Sequence, residues 1–273
     1  MAGQYLLLEK LMQTKQIVVL LKFNSGRGGG SGQSYLIRGE VAVRVSGNII
    51  YNENFGTVNY RLLTIRNAAD ANVTAVKGYL EGTALTELSS SGAVINTLAN
   101  GTAIGGFGGG SPELEGRIAE IIVYNTELDD LQRIIIENYV AAKYDLTIID
   151  DHYAYESTHS NDVAGIGRLD VDTLHTVSQS AKILNIGNAS GLGDDEFLFF
   201  GHDNGSAASW STSEVPGSDT NIRRIAREWR LDETGNIGML KISIDTSLFP
   251  SKPSNFTKYV LWLDADGDFS SGA

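Results

Sequence analysis

Cysteine is absent from the 273 residues, proline occurs four times, and basic residues are outnumbered by acidic ones, 21 to 33. Without cysteine there is no disulfide framework, zinc–thiolate centre or cysteine nucleophile. A formal charge of −12 repels phosphate backbones and anionic lipid, which argues against nucleic acid as a partner. The four histidines, His152, His159, His175 and His202, lack the close spacing of a zinc site. Long apolar runs are missing too. Ile17 to Leu21, flanked by Lys15 and Lys22, falls far short of the roughly 18 residues that a membrane span needs. Glu9 and Lys10 interrupt Leu6-Leu7-Leu8, so no secretion signal is read at this end.

What is present is glycine, 31 residues of it, placed between short apolar stretches. Ile17 to Phe23, Ser34 to Arg38, Val41 to Val45, Tyr60 to Arg66, Ala75 to Leu80 and Arg117 to Tyr124 read as strands closed by Gly, Asn, Asp or Ser. The glycine runs at 26–32 and 105–110 have no Lys-Ser/Thr ending and no following helix, so they are loops rather than phosphate cradles. One helix is predicted over 127–144. Thr126 is its expected cap, with Asp129 three residues on. Leu128, Leu131, Ile135, Tyr139 and Ala142 form its apolar stripe.

Beyond Ile148 the texture changes to a polar stretch reaching Asp162. Strand-like pieces then resume at Lys182 to Ile186, Glu196 to Phe200, Arg227 to Leu231, Met239 to Ile244 and Lys258 to Leu263. The run from Gly201 to Thr220 reads as a long surface loop. Two domains are therefore expected, residues 1–148 and 149–273.

The stretch Leu114-Glu115-Gly116-Arg117-Ile118-Ala119-Glu120-Ile121-Ile122-Val123-Tyr124-Asn125 resembles the last core strand of concanavalin A-like, laminin-G-like jelly-roll modules. The following helix, with its Ala141-Ala142-Lys143-Tyr144-Asp145-Leu146 ending, belongs to the same resemblance. So does the hairpin Gly78-Tyr79-Leu80-Glu81-Gly82, where Glu81 replaces the usual Asn. The likeness covers residues 17–148. Val163 to Arg168, Gly201 to Asn204 and Arg227 to Arg230 resemble an uncharacterised β-rich domain of secreted, Bacteroidetes-type surface proteins. The resemblance implies an all-β chain: an antiparallel β-sandwich of jelly-roll type with one amphipathic helix, then a second β-rich, sandwich-like domain. It also implies an extracellular or cell-surface location and further domains in a longer parent protein. The opening strands of the jelly roll are absent ahead of Met1, and the second domain stops mid-motif at Ala273. Truncation at both ends is therefore expected.

The chemistry candidates are few. Jelly-roll glucanases need two carboxylates flanking the scissile bond. Here Glu113 and Glu115 share a strand parity that Glu120 leaves, and Glu228, Arg230 and Asp232 read as a surface salt ladder. Asp264, Asp266 and Asp268 alternate around Gly267, a set of hard oxygen donors suited to calcium, or else a plain acidic turn. Arg223, Arg224, Arg227 and Arg230 gather positive charge, either for local ion pairs or for an acidic polysaccharide. No nucleophile elbow is present, and Ser178 and Ser180 read as loop hydrogen-bonders. The expectation is a non-catalytic module for glycan recognition, adhesion or spacing, with Tyr51, Phe55, Tyr60 and Phe107 as candidate stacking platforms. The alternatives are a jelly-roll glycoside hydrolase and a structural stalk.

Overall fold

The computed structural model describes residues 16–23, 40–44, 48–54, 59–68, 71–92, 116–219 and 221–271. The strand expected at Ser34 to Arg38 and both glycine loops lie outside them. The chain forms two compact units, Met1–Glu137 with Thr147–Asp150, and Asn138–Leu146 with Asp151–Ala273. Every strand pair among the described residues is antiparallel, and no barrel closes, as an all-β sandwich requires.

The first unit holds β1 (Gln16–Phe23), β2 (Glu40–Arg44), β3 (Asn48–Asn54), β4 (Arg61–Arg66), β5 (Lys77–Leu80), β6 (Thr83–Ala84), β7 (Glu87–Ser91) and β8 (Gly116–Tyr124). One sheet runs β6-β5-β4-β1-β8, the other β2-β3-β7. Tyr51 of β3 reaches the larger sheet, donating its hydroxyl to Val76 O at 2.8 Å. The β5–β6 hairpin turns at Glu81 and Gly82, both at positive φ. Glu81 there accepts both ends of the Arg61 guanidinium fork at 2.7 Å, and the Leu62 N–H at 3.1 Å. That fork is a bond the usual Asn could not accept.

Helix α1 (Asp130–Tyr144) follows. Its cap is one turn later than expected. Asp129 Oδ1 accepts the Gln132 N–H at 2.8 Å, and Gln132 Oε1 accepts the Asp129 N–H at 3.1 Å. This reciprocal pair satisfies two orphan donors, in place of the expected pairing of Thr126 with Asp129. The buried stripe also differs. Leu131, Ile134, Ala141 and Ala142 are buried, but so are Arg133, Glu137 and Asn138, while Ile135 and Tyr139 are only half-buried.

The polar side chains are buried because the sheet facing them is polar. Glu137 accepts the Thr64 hydroxyl at 2.7 Å and pairs with Arg133, and Arg133 also reaches Asp150 at 3.3 Å. Arg66 holds Asp130 at 2.6 Å, and the Arg133 guanidinium lies 4.4 Å from the Tyr79 ring centroid. Burial pushes the Glu137 carboxyl above its usual range, with Arg133 opposing. Against the same burial cost, Arg66 and Arg133 hold Asp130 below its usual range.

The second unit holds α2 (Glu156–His159), β9 (Asn161–Arg168), β10 (Leu174–His175), β11 (Val177–Ser180), β12 (Leu184–Gly187), β13 (Glu196–His202), β14 (Trp210–Ser211), β15 (Arg224–Ile225), β16 (Trp229–Thr234) and β17 (Lys241–Ile244). Its sheets are β10-β9-β13-β16 and β11-β12-β17, with β14 paired to β15. Ala164, Ile166, Leu198 and Phe200 from the first sheet meet Leu184 and Ile186 from the second in one core. Burial of each Ile, Leu or Phe side chain there contributes about 1.5–3 kcal/mol.

The opposite face of β9 and β13 explains the glycines of Val163 to Arg168. Gly165 faces Phe199 and Gly167 faces Phe197 across the strand pair. A Cβ on either would come within 2.6 or 2.5 Å of the ring. The absent side chains thus make room for two phenylalanines, and the His152 ring stacks on Phe197 at 4.0 Å. The strand expected at Lys258 to Leu263 does not form; these residues have no regular structure, and Val260 and Leu263 are exposed.

Candidate functional site

The three stretches Val163 to Arg168, Gly201 to Asn204 and Arg227 to Arg230 come together on the adjacent strands β9, β13 and β16. Where β13 ends, His202 is buried at 1% exposure. Its Nδ1 accepts the Asn204 N–H at 3.0 Å, so the ring proton sits on Nε2, which donates to Asp162 Oδ2 at 3.0 Å. Burial lowers the His202 pKa, and Arg227 adds to the lowering while Asp162 opposes it. The ring is neutral, with both nitrogens engaged. It can orient Asp162 and the turn at Asn204, but no nitrogen is left to take a proton from a nucleophile.

Asp203 ties the same turn to the next strand. Its Oδ1 accepts the Glu228 and Gly205 N–H groups at 3.0 and 2.9 Å. Arg227 donates its Nε–H to Gly205 O at 3.0 Å, and its guanidinium lies 6.0 Å from the Trp229 ring centroid. Both Nη nitrogens of Arg227 are without a hydrogen bond among the described residues. Trp229 itself is pinned by donating to the buried Ser180 hydroxyl at 3.1 Å.

These residues border a groove made of two adjoining depressions, about 430 and 180 Å³, which share Tyr139, Asp162 and Arg227. The larger adds Gln179 and Lys182; the smaller adds Lys143, Asn161 and Asn204. All belong to the second unit. Three cations face a single carboxylate in a chain whose formal charge is −12. Lys143 Nζ donates to the Tyr139 hydroxyl at 3.1 Å and lies 5.3 Å from that ring's centroid.

The groove's backbone is strained. Ten non-glycine residues among those described have positive φ, and Asp162, Ala181, Lys182 and Asn204 of them line the groove. Ala181 and Lys182 occupy the centre of the β11–β12 turn, closed by Ile183 N–H to Ser180 O at 3.0 Å. With both central residues at positive φ, this turn favours Asn-Gly. Strain of this kind clusters where a site dictates the backbone.

Of the expected platforms, Tyr51 and Tyr60 are among the described residues and belong to the first unit. Tyr51 is 3% exposed and wedged against Gly78, so it is a core residue with no face for a sugar. Tyr60 is half-buried ahead of β4, and Phe55 and Phe107 lie outside the described residues. Asp264, Asp266 and Asp268 form a turn in which Asp264 Oδ1 accepts the Asp266 and Gly267 N–H groups at 2.8 Å each. Among the described residues, no three His, Asp or Glu side chains converge as a metal site.

The acids expected to form a ladder take separate partners. Glu228 pairs with Arg224 at 2.7 Å, Asp232 accepts the Ala154 N–H, and Arg230 lies over the Tyr155 ring at 4.5 Å. Glu113 and Glu115 lie outside the described residues. Sequence reasoning missed Tyr139, Asp162 and Lys182. Tyr139 reads as helix stripe, and nothing in Ala181-Lys182 signals a tight turn.

A family model described as "Domain of unknown function (DUF8202)" matches residues 131–273, more than half of the chain. The chain belongs to the DUF8202 family. The match begins inside α1, so every groove residue named above falls within the DUF8202 region. No curated protein and no solved structure matches the chain.

Proposed function

We propose that the DUF8202 region is a non-catalytic glycan-recognition module, carried on an extracellular or cell-surface protein behind a jelly-roll, laminin-G-like unit. The groove of the second unit carries the reading. Its polar walls, Asn161, Asn204, Gln179 and Arg227, supply hydrogen bonds for sugar hydroxyls, and Tyr139 supplies an aromatic surface. A non-catalytic role is favoured over glycoside hydrolysis because Asp162 is the one carboxylate among the groove's lining residues, whereas that chemistry uses two. His202, with both nitrogens committed, offers no base in its place.

A glycan array on the protein, with and without calcium, tests the proposal. Binding is expected, and Tyr139→Ala is expected to weaken it while leaving the fold intact by circular dichroism. A flat response across the array favours a structural spacer and overturns glycan recognition. Release of reducing sugar from any bound glycan overturns the non-catalytic part.

A further inference from the structure

We infer that the groove selects anionic sugars, those bearing a carboxylate or sulfate, over neutral ones; the inference rests on the glycan reading above and names its ligand class. Lys143, Lys182 and Arg227 approach the groove from three separate elements, α1, the β11–β12 turn and the segment before β16. Their only charged opponent among the lining residues is Asp162, one of whose carboxylate oxygens is occupied by the hydrogen bond from His202. In a chain of formal charge −12, this is a local reversal of sign, and a concave site focuses such a field.

Arg227 makes the strongest case. Its Nε is fixed on Gly205 O and its plane lies near Trp229, so the guanidinium is held in place before any ligand arrives. The Nη end remains available, and two parallel N–H donors match a carboxylate or sulfate edge. Lys182 adds a second observation. It is held at φ 60° in a turn where glycine would sit without strain, which places an exposed ammonium at the groove's rim. A neutral ligand gives that cation no partner.

Titration calorimetry on the full chain with three size-matched probes tests this: oligogalacturonate, a sulfated oligosaccharide and neutral xylo-oligosaccharide. An acidic probe is expected to bind at least about tenfold more tightly than the neutral one, and raising the salt should narrow the gap. Lys182→Glu and Lys182→Gly should each weaken the acidic probe, the former by about tenfold, and leave the neutral probe unchanged. Lys241→Glu, a charge change on β17 away from the lining residues, is the control and should have little effect. The two acidic probes tell carboxylate from sulfate recognition, and binding of either supports the inference. Equal binding of neutral and acidic probes overturns anion selection but leaves glycan recognition standing. Equal losses from Lys182→Glu and Lys241→Glu also overturn it, as diffuse charge attraction. Binding of none of the probes, with a flat glycan array, overturns both.

Discussion

The two units cover their sheets in opposite ways. In the first, the layer between α1 and β4–β5 is ionic, with Glu137, Arg133, Asp130 and Arg66 joined through Thr64 and Tyr79. In the second, one face of the β9–β13 pair is apolar, Phe200 among aliphatic side chains, and the other is phenylalanine laid over glycine. The failure modes of the two layers differ. An ionic layer fails when one charge is orphaned, because the remaining charge is then buried without a partner. A close-packed layer fails when an atom is added, because neighbouring rings have nowhere to go.

Removal of one ionic partner should have the largest effect. Glu137→Ala is expected to cost the first unit about 3–5 kcal/mol, whereas the double change Arg133→Met with Glu137→Leu recovers most of it. Urea titration followed by far-ultraviolet circular dichroism measures both. If the single and double variants lose the same amount, the ionic layer is not what distinguishes this unit.

Next comes Gly165→Ala, whose new Cβ would lie 2.6 Å from Phe199 Cε1. A loss of about 2–3 kcal/mol is expected, partly restored by Phe199→Leu. All three tryptophans lie in the second unit, so tryptophan fluorescence follows its unfolding separately. A neutral Gly165→Ala would contradict the tight aromatic packing.

Acid should split the units. Burial holds the His202 and His159 pKa values below 6.5, so in acid the unfolded chain binds protons that the folded second unit refuses. Its stability should fall as pH drops below about 6.5, by at most about 1.4 kcal/mol per pH unit for each histidine. Glu137 has the opposite sign. Its folded pKa is raised above 4.5, so the folded first unit binds that proton first and gains stability as pH falls through the folded value. The His202→Gln variant should flatten the fluorescence-detected slope. An unchanged slope would remove His202 from the account.

The smallest effect is a gain. Lys182→Gly relieves positive φ in a non-glycine residue and should stabilise the second unit by about 0.5–1 kcal/mol, even though it is expected to weaken anion binding. Stability rising while binding falls would mark the strained turn as serving the groove. A loss of both would make Lys182 a structural residue.

Much of the strand pattern was legible. Arg61–Arg66, Gly116–Tyr124 and Glu196–His202 form close to where alternation and turn residues place them. β9 was not legible as a strand, because glycine at alternate positions removes the apolar periodicity on which such readings depend. The apolar run at Lys258 to Leu263 read as a strand and is not one, since composition marks a willingness to pair without supplying a neighbour. The groove was harder still. Arg227 was visible as one member of a basic cluster, but Arg224 beside it is consumed by Glu214 and Glu228. Which arginine stays available depends on partners at different separations, Glu228 four residues from Arg224 and Glu214 ten.

By itself, the sequence determined most of the strand positions and the single long helix, because these follow from periodicity and turn chemistry that neighbouring residues carry. Tertiary structure decided which face of that helix is buried, which glycines make room for rings, and which cations line a common groove. Those outcomes depend on side chains brought together across strands, and a one-dimensional pattern holds no record of which partner each will meet.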